Sequence, residues 1–138
     1  MTYNNGTGAF SLTAGYEIPQ TASTTIWETR SFNISIPSAS TTDSGVAQKL
    51  FPFASTILEI RCSAAANITI GADERSSSTP ATAGIDIFTG GSMVCTSGGT
   101  TTSTFANAGM AAGSIFNLDI DAITNTTTTL QVYVKYQQ

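Results

Sequence analysis

The chain has 138 residues with a net charge of −4 and only 10% charged side chains, against the roughly 25% of ordinary globular domains. Serine and threonine, 40 positions together, take the place of the missing charge. The basic residues Arg30, Lys49, Arg61, Arg75 and Lys135 stand singly and cannot neutralise a phosphate backbone, which argues against nucleic acid. No apolar run approaches the ~20 residues of a membrane-spanning helix, and the first residues show neither a basic nor an apolar export region, so no signal peptide is expected.

Residues 1–25 read as an extended N-terminal arm and 26–138 as one sandwich domain. Gly6, Gly8 and Gly15 interrupt any long element in the arm, and Pro19 limits strand pairing. Yet Tyr3, Phe10, Leu12, Tyr16 and Ile18 make it too apolar for a solvated tail. One short strand is expected within it. The arm either folds back on its own domain or reaches a neighbour.

From Ile26 to Ile36, Phe32, Ile34 and Ile36 alternate with Ser31, Asn33 and Ser35, the two-residue period of a half-buried strand. Pro37 is expected to end it. Residues 38–45 read as a polar loop, and 49–53 as an apolar knot around Pro52. Thr56–Cys62 is a strand with Leu58, Ile60 and Cys62 inward, and Asn67–Gly71 another with Ile68 and Ile70 inward. Residues 73–83 read as a mobile loop whose Asp73, Glu74 and Arg75 are solvated. Short strands follow at Gly84–Phe88, Ser92–Thr96 and Thr104–Asn107. Residues 107–113 are a loop or a single helical turn.

The last third has the cleanest pattern. Phe116, Leu118 and Ile120 share one face and Asn117, Asp119 and Asp121 the other; Leu130, Val132, Val134 and Tyr136 then alternate with Gln131, Tyr133 and Lys135. The two runs are expected to pair with each other, antiparallel. Eight evenly spaced strands without helical periodicity point to an all-β fold: an eight-stranded jelly roll or other Greek-key β-sandwich. An immunoglobulin-like sandwich ranks second, because Trp27 precedes both cysteines.

There is no histidine, so the commonest general base, metal ligand and nucleophile partner are missing. Cys62 and Cys95 read first as small buried hydrophobes and second as a disulfide. A reactive thiol lacks an activating base. Asp119 and Asp121 share a strand face opposite the core and read as solvated; no calcium loop surrounds them. The expectation is no catalytic residue, no cofactor and no metal. Trp27 and Tyr133 are out of phase with their inward neighbours and are expected to face outward. Phe32, Phe51, Phe53 and Phe116 are assigned to the core.

The glycine- and threonine-rich arm, the run Phe53-Ala54-Ser55-Thr56-Ile57-Leu58-Glu59-Ile60, and the closing runs Phe116–Ile120 and Leu130–Tyr136 together resemble the small jelly-roll decoration, or cement, proteins of tailed-bacteriophage heads. That resemblance implies a structural virion protein in the virion itself, assembled in the host cytoplasm. It implies a homo-oligomer, a trimer first, bound to the major capsid protein or another virion protein. It makes the arm and its junction the assembly contact: Tyr3, Phe10, Tyr16, Ile18 and Trp27. The alternative is a carbohydrate-binding or tail-associated adhesin module, which requires an exposed aromatic cluster.

Overall fold

The computed structural model describes residues 2–4, 9–11, 27–39, 42–124 and 128–138. Among these, every regular element is a strand. Two short ones, β1 (Thr2–Asn4) and β2 (Ala9–Ser11), pair antiparallel as a ribbon, with Tyr3 opposite Phe10. The others are β3 (Thr29–Ala39), β4 (Asp43–Phe51), β5 (Ser55–Ala64), β6 (Ile68–Ser76), β7 (Ile85–Asp86), β8 (Ser92–Cys95), β9 (Thr100–Thr102), β10 (Gly109–Met110), β11 (Ser114–Ile123) and β12 (Thr128–Gln137).

They form two antiparallel sheets. The first has the order β3, β12, β5, with β9 and β10 on the far side of β5; the second has the order β4, β11, β6, with β7 and β8 beyond β6. Taking β7 with β8 and β9 with β10, each sheet has four strand positions. The chain crosses between sheets at nearly every connection, and the last two strands insert between the early ones. This is the double Greek key of a jelly roll, the eight-position sandwich expected from the spacing.

The expected pairing of the last two long strands is wrong. β11 bonds β4 and β6, whereas β12 bonds β3 and β5. Their apolar faces meet across the sandwich. Alternation reports which face is buried and carries no information about the lateral neighbour.

Several boundaries also move. β3 runs through Pro37 to Ala39. It lies at a sheet edge, bonded to β12 alone, where a proline's missing N–H costs little. β4 occupies the segment read as loop and apolar knot; its serine, glycine and lysine weaken the alternation. β6 continues to Ser76, so Asp73, Glu74 and Arg75 are in a strand and not in a loop tip. The threonine run at 100–102 is β9, and only an isolated bridge, Phe88 to Phe105, falls within the strand expected at 104–107. A register shift between β5 and β12 puts Ile57 in the core and leaves Leu58 half-buried, reversing the expected phase there.

The core lies between the sheets, with Ile57, Ile60, Ile68, Ile70, Ile87, Phe116, Leu118, Leu130, Val132 and Val134 essentially without solvent contact. Phe32 packs edge-on to Phe116 at 5.6 Å and to Phe51 at 6.1 Å, and Phe51 meets Tyr136 at 4.9 Å. Edge-to-face pairs of this kind add about 0.5–1.5 kcal/mol each beyond area burial. Phe53 is not a core residue: it is 64% exposed in the turn between β4 and β5.

Cys62 on β5 and Cys95 on β8 form a disulfide, with Cα atoms 5.3 Å apart, and so bolt one sheet to the other. The sequence favoured two separate thiols. Both residues are indeed buried, but only the sandwich brings positions 33 residues apart face to face.

Candidate interaction surface

The outer face of the second sheet carries acidic and amide side chains that are committed to structure. Asp73, Asn117 and Asp119 project from adjacent β6 and β11, and Arg75 lies among them. Arg75 Nε donates to both Asp73 oxygens at 3.0 and 2.8 Å, Nη1 to the Pro80 carbonyl at 3.1 Å and Nη2 to Asp119 Oδ2 at 3.2 Å. Asn117 Nδ2 donates to Asp73 Oδ1 and Asp119 Oδ1, each at 2.8 Å, while its oxygen accepts from Gln48 Nε2 at 3.1 Å. The Gly84 N–H donates to Asp73 Oδ2 at 2.7 Å and the Gly45 N–H to Asp119.

Asp73 and Arg75 are both more than 90% buried, so the expected solvated tip is a buried ion pair. Burial works against the Asp73 carboxylate, but the bonds from Arg75, Gly84 and Asn117 outweigh it and hold its pKa below the ordinary value. Asp119, read as solvated, is a member of this lattice, whereas Asp121 is exposed as expected. Desolvation, then Asp119 and Asp86, raise the Asp121 pKa. Among the described residues no group of three or more His, Cys, Asp or Glu side chains is arranged to hold a metal ion.

The outer face of the first sheet has a shallow groove lined by Asn33, Arg61, Gln131, Tyr133, Gly99 and Thr101. Tyr133 lies directly across from Arg61 in the β5–β12 register, and the guanidinium sits 6.0 Å from the ring centre. Arg61 also bonds Glu59, which balances its charge. Trp27 does not join this groove. It precedes β3 by two residues, while Tyr133 pairs with Asn33, about 20 Å further along at ~3.3 Å per residue.

The third surface is one end of the sandwich. The register brings several segments together there: the start of β3, the end of β12, the β4–β5 turn, the β10–β11 connection, the end of β6 and the start of β7. Glu28 and Gln138 exchange two backbone hydrogen bonds at this end, at 2.8 and 3.1 Å, which fixes where the chain enters β3. Five large apolar side chains are exposed among the described residues, and four belong to this end: Trp27 at 57%, Leu50 at 52%, Phe53 at 64% and Ile85 at 63%. Leu50 lies opposite Ile115 on the outer face. Ile85, Ala111, Ala112 and Gly113 line a hollow beside Ser76 and Ser114. The fifth, Val94, lies on β8 away from it.

Of the five residues expected at the assembly contact, Trp27 is therefore exposed at this end. Tyr3 and Phe10 fall within β1 and β2, whose backbone alone is described, and Tyr16 and Ile18 lie outside the described residues. Leu50, Phe53 and Ile85 were not anticipated as surface. Pro52 was the available signal for Phe53, since a proline turn breaks the phase that otherwise pairs Phe53 with Phe51.

These features define a disulfide-linked jelly-roll β-sandwich with one apolar end. No family model and no curated protein matches the chain. A solved structure described as "Cyanophage Pam1 capsid asymmetric unit" superposes with a TM-score of 0.36 at 9% identity, over 95% of this chain and 98% of that one. A likeness that loose carries no functional argument.

Proposed function

We propose that the chain is a non-catalytic structural subunit of a virion, a decoration or cement protein that binds the phage head as an oligomer. The observation that carries this is the exposed apolar end where the leading segment joins the sandwich. Several large apolar side chains exposed at one end of a domain suit an interaction site. Double-sheet jelly rolls recur in capsid proteins, which supports the reading by analogy. A cross-sheet disulfide suits a particle exposed to oxidising surroundings. The outer-face carboxylates Asp73 and Asp119 are held by Arg75, Asn117 and backbone N–H groups, which supports a structural role for them.

Density-gradient fractionation of a lysate from the native source tests this. The chain is expected to migrate with particles that also contain a major capsid protein. A chain found only in the free-protein fractions overturns the reading. Added to particles that lack it, the full chain is expected to bind, while a form without residues 1–20 remains in the supernatant with an unchanged circular-dichroism spectrum.

The Tyr133 groove supports a second reading, an adhesin that takes a neutral sugar against a ring flanked by amides and a charge-balanced arginine. A single aromatic, remote from Trp27, makes a small platform. Glycan-array binding abolished by Tyr133→Ala is the result that would favour it.

A further inference from the structure

We infer that the apolar end of the sandwich is the seat for the leading segment of a second copy of this chain. The inference rests on the assembly role just proposed and names the partner at that surface. In the single chain Trp27, Leu50, Phe53 and Ile85 are all more than half exposed. The Phe32, Phe51 and Tyr136 cluster lies on the core side of this end, and the exposed charges beside Trp27, Glu28 and Arg30, are paired with each other. The nearby carboxylate of Glu74 is engaged, accepting from Asn107 Nδ2 at 3.0 Å and Ala111 N–H at 2.6 Å. An uncharged apolar segment suits such a seat.

The first 26 residues are that kind of segment. They carry Tyr3, Phe10, Leu12, Tyr16 and Ile18, and one formally charged side chain, Glu17. The β1–β2 ribbon is a two-stranded sheet of its own. Such ribbons are marginal in water without a surface to pack on. Among the described residues the ribbon pairs with no strand of the sandwich, and the four large apolar side chains of the sandwich end are more than half exposed. The 15 residues between Ser11 and Trp27 reach about 50 Å when extended, longer than any strand of the sandwich. A leading segment that leaves one copy at this end can therefore lie across the same end of the next. A head-to-tail contact of this type closes into a ring when the rotation allows.

The test uses full-length protein away from any particle. A photo-crosslinking residue replaces Phe53 in a heavy-isotope chain, which is mixed in denaturant with light chain and refolded with the disulfide intact. Crosslinks from the heavy Phe53 position to light peptides within residues 1–26 are expected. Crosslinks confined to heavy–heavy pairs at limiting dilution among excess light chain mean a segment folded onto its own domain, and overturn the inference; so does a product with no peptide from 1–26. In sedimentation velocity the native chain is expected as an oligomer. Both the double variant Leu50→Ser/Phe53→Ser and the form lacking residues 1–20 are expected at single-chain mass with native circular dichroism. A monomeric native chain, or variants that stay oligomeric, overturns it. A monomer that still binds particles would remove the seat and the oligomer while keeping the particle-binding part of the proposed function; an oligomer that ignores them would remove the function and keep the seat.

Discussion

Arg75 donates to two carboxylates and a carbonyl under the 77–83 loop, and its removal from water is compensated only while those partners remain. Breaking a buried pair from one side costs about 3–5 kcal/mol. Asp73→Ala is expected to lose about that much in urea unfolding at pH 7. The acid response has a definite sign. Asp73 has a folded pKa below its unfolded value, so its contribution is complete above about pH 4. It is lost as the pH falls through the lowered folded value. Urea midpoints between pH 2 and 7 are expected to fall more steeply on the acid side for the native chain than for Asp73→Asn. Asp121 has the opposite sign, because its folded pKa is raised. Asp121→Asn is expected to raise Tm slightly at pH 7, with the difference closing as the pH drops through the raised pKa. Gly84 guards the same lattice. A Cβ there would lie 1.8 Å from the Glu74 carbonyl oxygen. Gly84→Ala must shift backbone as well as its bond to Asp73, and an overpacking loss of about 1–3 kcal/mol is expected in the same assay.

β11 and β12 are interior strands of the two sheets, each bonded on both sides. Their apolar residues were legible from a two-residue period because each strand has one face wholly on the core. β4 and the far end of β6 were not legible. β6 turns Asp73 and Arg75 outward, where a polar lattice buries them, and period counting takes polar residues as solvated. The shift that exchanges Leu58 for Ile57 belongs to the pairing with β12 and has no local signal. Leu118, without solvent contact on β11, is expected to cost about 2–5 kcal/mol when replaced by alanine. Leu50→Ala on β4, exposed in the single chain, is expected to stay within about 0.5 kcal/mol in a monomeric form. Urea unfolding of both variants checks the contrast.

Across the whole molecule, the bridge between Cys62 and Cys95 closes a segment of 33 residues and links the two sheets. Chain-entropy arguments give such a loop about 3–4 kcal/mol. Cys62→Ala/Cys95→Ala is expected to unfold at correspondingly lower urea, and the native chain to match it only when reductant is present throughout. Interleaving early and late strands makes most of the pairing non-local, so refolding is expected in milliseconds to seconds, the range of high-contact-order β domains. Stopped-flow fluorescence can follow it through Trp27, two residues before β3, and through Tyr133, whose ring meets Arg61 at 6.0 Å in the folded sheet.

The amino-acid order alone determined the class: no helix period, eight strand positions, low charge and no histidine. Those are local properties, written in alternation and composition. Tertiary structure decided the rest. It chose which strands are neighbours, joined two cysteines across the sandwich, buried an ion pair on an outer face, and gathered Trp27, Leu50, Phe53 and Ile85 at one end. Each of these depends on residues far apart in the chain, and a two-residue period describes a strand's faces without recording what lies beside or across from them.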